Sequence, residues 1–183
     1  MKLVFFLEEP SAREMLQALR RMLAPDSHWQ FIVFEGKQDL EKNLPRKLKA
    51  WLPDAETRFI VMRDQDSGDC KVIKDRLYNL CPQAVKSKTL IRIACHELES
   101  FYLGDLAAVE RAFPGSKVNR QQNAKKFRAP DNLANAAEEL KKLIPNYQKV
   151  SGSRKISRHL SMHNNKSHSF NMLIEGISRL LVS

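Results

Sequence analysis

The ten residues Thr57–Asp66, TRFIVMRDQD, constrain the fold more than any other stretch. Phe59, Ile60, Val61 and Met62 follow one another without polar alternation, and β-branched and aromatic types dominate. Such a run reads as a strand buried on both faces, as in a parallel sheet. It stops on Arg63, and two carboxylates follow, Asp64 and Asp66, spaced D-x-D. In an open parallel α/β sheet the functional crevice lies at the carboxyl ends of the strands. Paired carboxylates at such an end suit a hard divalent cation such as Mg²⁺. Asp-rich, Gly-containing stretches like DQDSGD are also ordinary turns, so the placement of the other acids decides between the two readings.

The rest of the first 110 residues alternates strand and helix. Lys2–Leu7 is an apolar strand ended by Glu8 and Glu9. Pro10 and Ser11 open a helix, with Ser11 as N-cap and Glu14 three residues on, the spacing of a capping box. Met15, Leu16, Leu19, Met22 and Leu23 carry its helical periodicity. Trp29–Phe34 is a second strand. Gly36-Lys37-Gln38-Asp39 turns into a second helix with Leu40, Leu44, Leu48 and Trp51 on one face, which Pro45 is expected to bend or divide. After the Thr57–Met62 strand, Ile73, Leu77 and Leu80 mark a third helix, and Thr89–Ala94 is a fourth strand. This order predicts βαβ units and an α/β fold: a mainly parallel four-stranded sheet flanked by helices.

Right-handed crossovers bring all four strand ends to one rim. Glu8 or Glu9 stands there after the first strand and Lys37 after the second. Asp64 and Asp66 follow the third, and Glu97 and Glu99 the fourth. Converging like charges repel unless protonated or bridged by a cation, so a divalent metal is the simplest expectation. Acids that cap helices separately are the alternative. His96–Phe101 reads as the first turn of a helix, in which Glu97 and Glu99 lie about 200° apart. Only one of the two then faces the crevice, and Glu97 follows the strand more closely.

Asp105 caps a helix over 106–113, and Pro114-Gly115 breaks it. Beyond lies a basic, mostly helical C-terminal part, residues 111–183, set against an α/β domain of residues 1–110. Residues 1–110 hold 17 Lys/Arg against 17 Asp/Glu, and residues 111–183 hold 14 against 4. The whole net charge of +10 therefore sits in the C-terminal part. Asp131 is expected to cap a helix to Leu143, Tyr147–Ser153 to form a loop, and residues 170–181 to form a last helix. Charge asymmetry of this kind favours nucleic acid as partner. Lys37, Lys149, Arg154, Lys155, Arg158 and Lys166 are the candidate phosphate contacts, since basic loops bearing Ser and Gly let the backbone approach an anion.

Several classes drop out. No apolar run approaches the roughly 18 residues of a membrane span, and Met1–Leu7 is too short for a signal peptide. Cys70, Cys81 and Cys95 are odd in number and form no CxxC pair, which predicts reduced, buried thiols in a cytoplasmic protein. His159 and His163 stand four apart but lack a third ligand for zinc. Gly36-Lys37 lacks the rest of a phosphate-binding Walker loop, and no G-x-S-x-G is present.

Taken together, these residues resemble a known domain. Leu7-Glu8-Glu9-Pro10-Ser11 is similar to the first Toprim motif, in which Glu8 matches the motif glutamate and Glu9 stands where glycine is usual. Asp64-Gln65-Asp66 is similar to the Toprim D-x-D. Toprim is the metal-binding α/β domain of topoisomerases, primases and overcoming-lysogenisation-defect nucleases. More closely, the chain resembles an uncharacterised Toprim-like family of small prokaryotic proteins often encoded beside AAA-type ATPases. The residues that carry this are Gly36-Lys37, Asp64-Gln65-Asp66, Glu97–Asp105, Tyr147–Ser153 and Ser167–Phe170. The resemblance implies a Mg²⁺- or Mn²⁺-dependent nuclease or related phosphodiester-processing protein acting on nucleic acid, with prokaryotic defence as the role it suggests. Glu8, Asp64 and Asp66 would be catalytic and metal-binding, and Glu97 or Glu99 an additional ligand. The rival is a non-catalytic subunit that binds nucleic acid or an ATPase partner.

Overall fold

The computed structural model describes residues 1–51 and 56–182. Four strands, β1 (Lys2–Leu7), β2 (His28–Val33), β3 (Thr57–Asp64) and β4 (Thr89–Ala94), form one sheet in the order β2-β1-β3-β4. Every pairing is parallel, and the register sets Leu7 beside both Val33 and Met62 and Asp64 beside Ala94. All four carboxyl ends therefore reach one rim, as the strand–helix alternation requires.

Alternation along each strand sorts the side chains between two cores. Leu3, Phe5, Leu7, Ile60, Met62 and Ala94 face one layer. Val4, Phe6, Phe59, Val61, Ile91 and Ile93 face the other. Helices α2 (Lys37–Lys49) and α3 (Cys70–Leu80) cover the second face through Leu40, Leu44, Leu48, Ile73 and Leu77. The short α4 (Gln83–Lys86) leads into β4. The first face is covered by α1 (Pro10–Leu23) and by everything after β4: α5 (Glu99–Leu103), α6 (Leu106–Ala112), α7 (Ala136–Leu143), α8 (Lys149–Ser157) and α9 (His168–Val182). Its core runs from Leu3 to Ile177, so the basic C-terminal part shares one apolar interior with the sheet.

Local corrections follow from packing. The N-cap of α1 is Glu9; Pro10 takes the first helical position, where its missing N–H costs nothing, and Ser11 lies inside the helix. Helix α2 runs through Pro45 undivided, because the buried stripe Leu40–Leu44–Leu48 continues across it. Burial of that stripe outweighs the roughly 3 kcal/mol that an interior proline costs. Asp131 caps no adjacent helix. Its Oδ2 accepts from the Ser169 N–H (2.7 Å) at the start of α9, while α7 begins only at Ala136. The expected loop Tyr147–Ser153 is mostly helix α8, with Gly152 and Ser153 buried. His96 adopts a left-handed φ of 56°, and α5 starts later than expected, at Glu99. The cysteines are free thiols, though only Cys81 is fully buried. Among the described residues, no helix is long and apolar enough to cross a membrane.

Candidate functional site

The acids at the rim divide according to the face each strand residue presents. Asp64 follows Ile60 and Met62 onto the α1 side, where it is 9% exposed. Arg63 faces the α2–α3 side and is 5% exposed. The strand ends at Asp64, and the chain turns back through Asp66 with a left-handed φ of 53°. An extended D-x-D would aim both carboxylates the same way. The turn separates them instead. Asp66 Oδ2 lies 2.8 Å from Lys37 Nζ and 3.5 Å from Arg63 Nη2, in a cleft between α2 and α3.

Glu8 sits between the two groups. Its Oε2 accepts from the Asp64 N–H (3.0 Å) and lies 3.8 Å from Arg63 Nε. Arg63 also donates to Glu41 (2.7 Å) and to the Asp64 carbonyl (2.8 Å). Burial lifts the Glu8 carboxyl above its ordinary range, only partly offset by the Asp64 N–H and Arg63.

Glu9, one residue on, turns to the opposite face, where its charge acts on Asp64 and Glu99. Glu99 is 0% exposed. Its Oε1 accepts from the Tyr147 hydroxyl (3.0 Å), while its buried Oε2 has no hydrogen-bond partner. Burial first, and then Glu9, Glu99 and Glu8 as neighbouring charges, push the Asp64 carboxyl well above its ordinary range. Burial likewise lifts Glu99, with Glu9 adding to it and Lys149 opposing. Lys149, half-exposed at the start of α8, lies 3.3 Å from Glu9. Burial would lower its pKa, but Glu99, Glu9 and Asp64 outweigh that and raise it. Lys149 is the cation of an otherwise acidic cluster.

A chain of hydroxyls fixes this corner. Ser153 Oγ donates to the Ser11 carbonyl (2.7 Å) and receives the Tyr102 hydroxyl. One turn on, Arg154 Nε donates to Glu14 (2.6 Å), and Arg13 reaches the same carboxylate (3.1 Å). Helix α8 is thereby locked along α1.

The structure thus brings Glu8, Asp64 and Glu99 to one corner and leaves Asp66 outside it, held by Lys37 and Arg63. Glu97, the glutamate favoured on position, is elsewhere. Its Oε2 accepts from the Ala137 N–H (2.7 Å) and caps α7, so Glu99 is the crevice residue. Of the basic candidates, Lys149 and Arg154 are engaged with Glu9 and Glu14, Lys155 lies over the Phe113 ring (5.5 Å), and Arg158 and Lys166 are exposed. Sequence puts Glu8 or Glu9 at this rim, and alternation after Leu7 sends Glu9 to the Asp64 face; site roles for Tyr102, Tyr147 and Ser153 are not read from sequence.

Among the described residues, no group of three or more His, Cys, Asp or Glu side chains converges into a ready metal-ligand set. The donor chemistry of the corner nevertheless suits a hard cation. Carboxylate oxygens are its ligands of choice, and Glu99 Oε2 is a buried, unpartnered one.

A family profile described as a domain of unknown function, DUF4276, matches residues 7–178, nearly the whole chain. No curated protein and no solved structure matches it.

Proposed function

The chain belongs to the DUF4276 family, a domain of unknown function, and we propose that it is a Toprim-like, Mg²⁺- or Mn²⁺-dependent protein that cleaves or otherwise processes phosphodiesters in nucleic acid. The observation that carries this reading is the buried acid corner. Asp64 and Glu99 are withdrawn from water beside Glu9 and Glu8, and Glu99 Oε2 is left unpaired. Burying like charges together is costly unless something compensates them. A protein that only bound polyanions would gain nothing from that cost.

Asp64, Glu99 and Glu9, with Glu8 at their edge, would hold the cation. When bound it would polarise a phosphoryl oxygen and lower the pKa of a coordinated water. Glu8, whose carboxyl is raised by burial, is suited to hold and pass a proton at the reacting oxygen. Lys149 keeps a positive charge at the mouth of the corner, where it can leave Glu9 for a phosphate oxygen. Asp66, paired with Lys37 and Arg63, belongs to the phosphate-facing rim. Lys155, Arg158 and Lys166 add backbone contacts outside the corner. An AAA-type ATPase partner and a role in prokaryotic defence extend the same proposal.

A second reading has its own observation. Among the described residues the acids do not converge into a three-ligand set as they stand, which favours a non-catalytic subunit that binds nucleic acid or an ATPase. The experiment is Mn²⁺-dependent cleavage of single- and double-stranded DNA and RNA by wild type and Asp64→Asn, with melting temperatures with and without metal. Cleavage and a metal-induced rise in melting, both lost in the variant while nucleic-acid binding persists, are expected. Absence of both in the wild type favours the non-catalytic subunit. A rise without cleavage points to activation by a partner.

A further inference from the structure

Helices α1 and α8 run side by side in the same direction, tied by Glu9 to Lys149 and, one turn on, by Glu14 to Arg154. Their outer faces form a groove lined by Arg13, Gln17 and Arg21 from α1 and by Arg154 and Arg158 from α8. Each set repeats every four residues, so each is a single stripe on its helix. Among the described residues Glu14 is the only acid lining the groove, and Arg154 and Arg13 already neutralise it. Arg21 and Arg158 are exposed, and neither forms an ion pair with a described residue. From Arg13 to Arg21 the stripe covers about 12 Å, long enough to follow more than one phosphate of a strand.

Beyond Arg21 the groove continues into a second hollow lined by Gln17, Arg20, Arg21, Pro25, Trp29 and Phe31. Gln17 and Arg21 belong to both. Trp29 and Phe31 are alternate residues of β2, the edge strand, and so share a face. Phe31 stacks on Phe5 (5.3 Å between ring centroids) and is half-buried, so part of its ring remains at the surface. Arginines along a track with an aromatic ring beside it are the means by which single strands are held: guanidinium on phosphate, base on ring. Bases paired and stacked within a duplex do not present a free face to such a ring.

We propose that the α1–α8 groove and the hollow at the β2 edge form one binding track for single-stranded nucleic acid. Arg154, Arg158 and Arg21 follow the phosphates, Phe31 receives a base, and the track leads to the Glu9–Lys149 mouth of the acid corner. This rests on the proposed function in taking nucleic acid as the ligand, and it adds the strandedness and the path.

The test is fluorescence anisotropy in EDTA, across a KCl series, with a labelled oligothymidylate and a blunt duplex of equal length. The proteins are wild type, Arg21→Ala with Arg158→Ala, and Phe31→Leu, which keeps apolar bulk. Wild type should bind the single strand more tightly than the duplex. The double variant should lose about 1.4 from the slope of log affinity on log salt, two contacts at about 0.7 each. Phe31→Leu should weaken single-strand binding about 5- to 100-fold at unchanged slope and leave duplex binding alone. Equal single-strand and duplex affinity with a silent Phe31→Leu would overturn the proposal. So would a double variant with wild-type affinity and slope. Because EDTA removes metal and turnover, failure of the nuclease reading leaves this result intact. Cleavage by a protein whose groove variants bind normally would sink the track alone.

Discussion

Replacing Glu99 by Gln should stabilise the metal-free protein. The wild-type carboxylate is 0% exposed, with one oxygen on the Tyr147 hydroxyl and the other on nothing. Gln keeps the acceptor for Tyr147 and removes the charge. The amide still occupies the unpartnered position, so the gain comes from losing the buried charge, taken as about 1–3 kcal/mol beyond the cost of a neutral polar group there. At about 2–4 °C per kcal/mol for a chain of this size, melting should rise by about 2–12 °C. The pH dependence gives the sign a second check. Burial raises the folded-state pKa of Glu99 above the ordinary value of 4.5. The folded protein therefore binds more protons than the unfolded chain, and the stability this confers is complete below pH 4.5 and lost as pH rises through the raised value. The advantage of Gln should be absent near pH 4 and grow toward pH 8. With Mn²⁺ at about 100 times its Kd, the wild type should recover about 2.7 kcal/mol and the variant nothing. Differential scanning fluorimetry at three pH values, in EDTA and in Mn²⁺, measures all of this. A variant that melts lower than wild type by the same margin at every pH would refute the reasoning, because Glu99 would then be an ordinary structural ion-pair partner of Lys149.

Asp66→Asn should change stability by less than about 0.5 kcal/mol, since its partners Lys37 and Arg63 meet it at a half-exposed site. It should also keep the metal-induced melting rise that Asp64→Asn loses; loss of the rise in both would return Asp66 to the ligand set. Arg63→Met should cost about 3–5 kcal/mol by chemical denaturation, because a buried guanidinium shared by Glu8, Glu41 and Asp66 disappears. A cost under 1 kcal/mol would mean that these acids do not depend on it. Gly152→Ala should cost about 1–3 kcal/mol, since the new Cβ overlaps the Tyr147 ring. The melting curve reports this, and an unchanged melt would show that the ring yields freely.

The sheet was legible because its signals are local. Four apolar runs of strand length, each followed by a helical period, leave little freedom in topology, and the acids at the rim followed from that. What stayed hidden depends on single turns and distant partners. Asp64 and Asp66 are parted by a turn in which Asp66 itself is left-handed, and D-x-D spacing does not announce it. The choice of Glu99 over Glu97 depends on where α5 begins and on an N-terminus 40 residues away that takes Glu97 as its cap. Tyr147–Ser153 reads as a loop in sequence because Gly152 and its two serines, Ser151 and Ser153, are poor helix formers. Its helix forms because Ser153 is bonded to residues 51 and 142 positions earlier.

That last bond has a consequence for how the protein comes into being. Ser153 and Lys149 meet Ser11 and Glu9 across 142 and 140 residues. During synthesis the acids at positions 8, 9, 64 and 99 leave the ribosome long before the lysine that balances them. A nascent chain, or one cut short before α8, holds the negative charges without their counter-charge and without the hydroxyl chain that fixes the corner. Closing so long a loop is late in folding, because its entropy must be met before the contact rewards it. The acid corner is thus a product of completed translation, and until α8 docks the cell holds only a sheet with an unfinished edge.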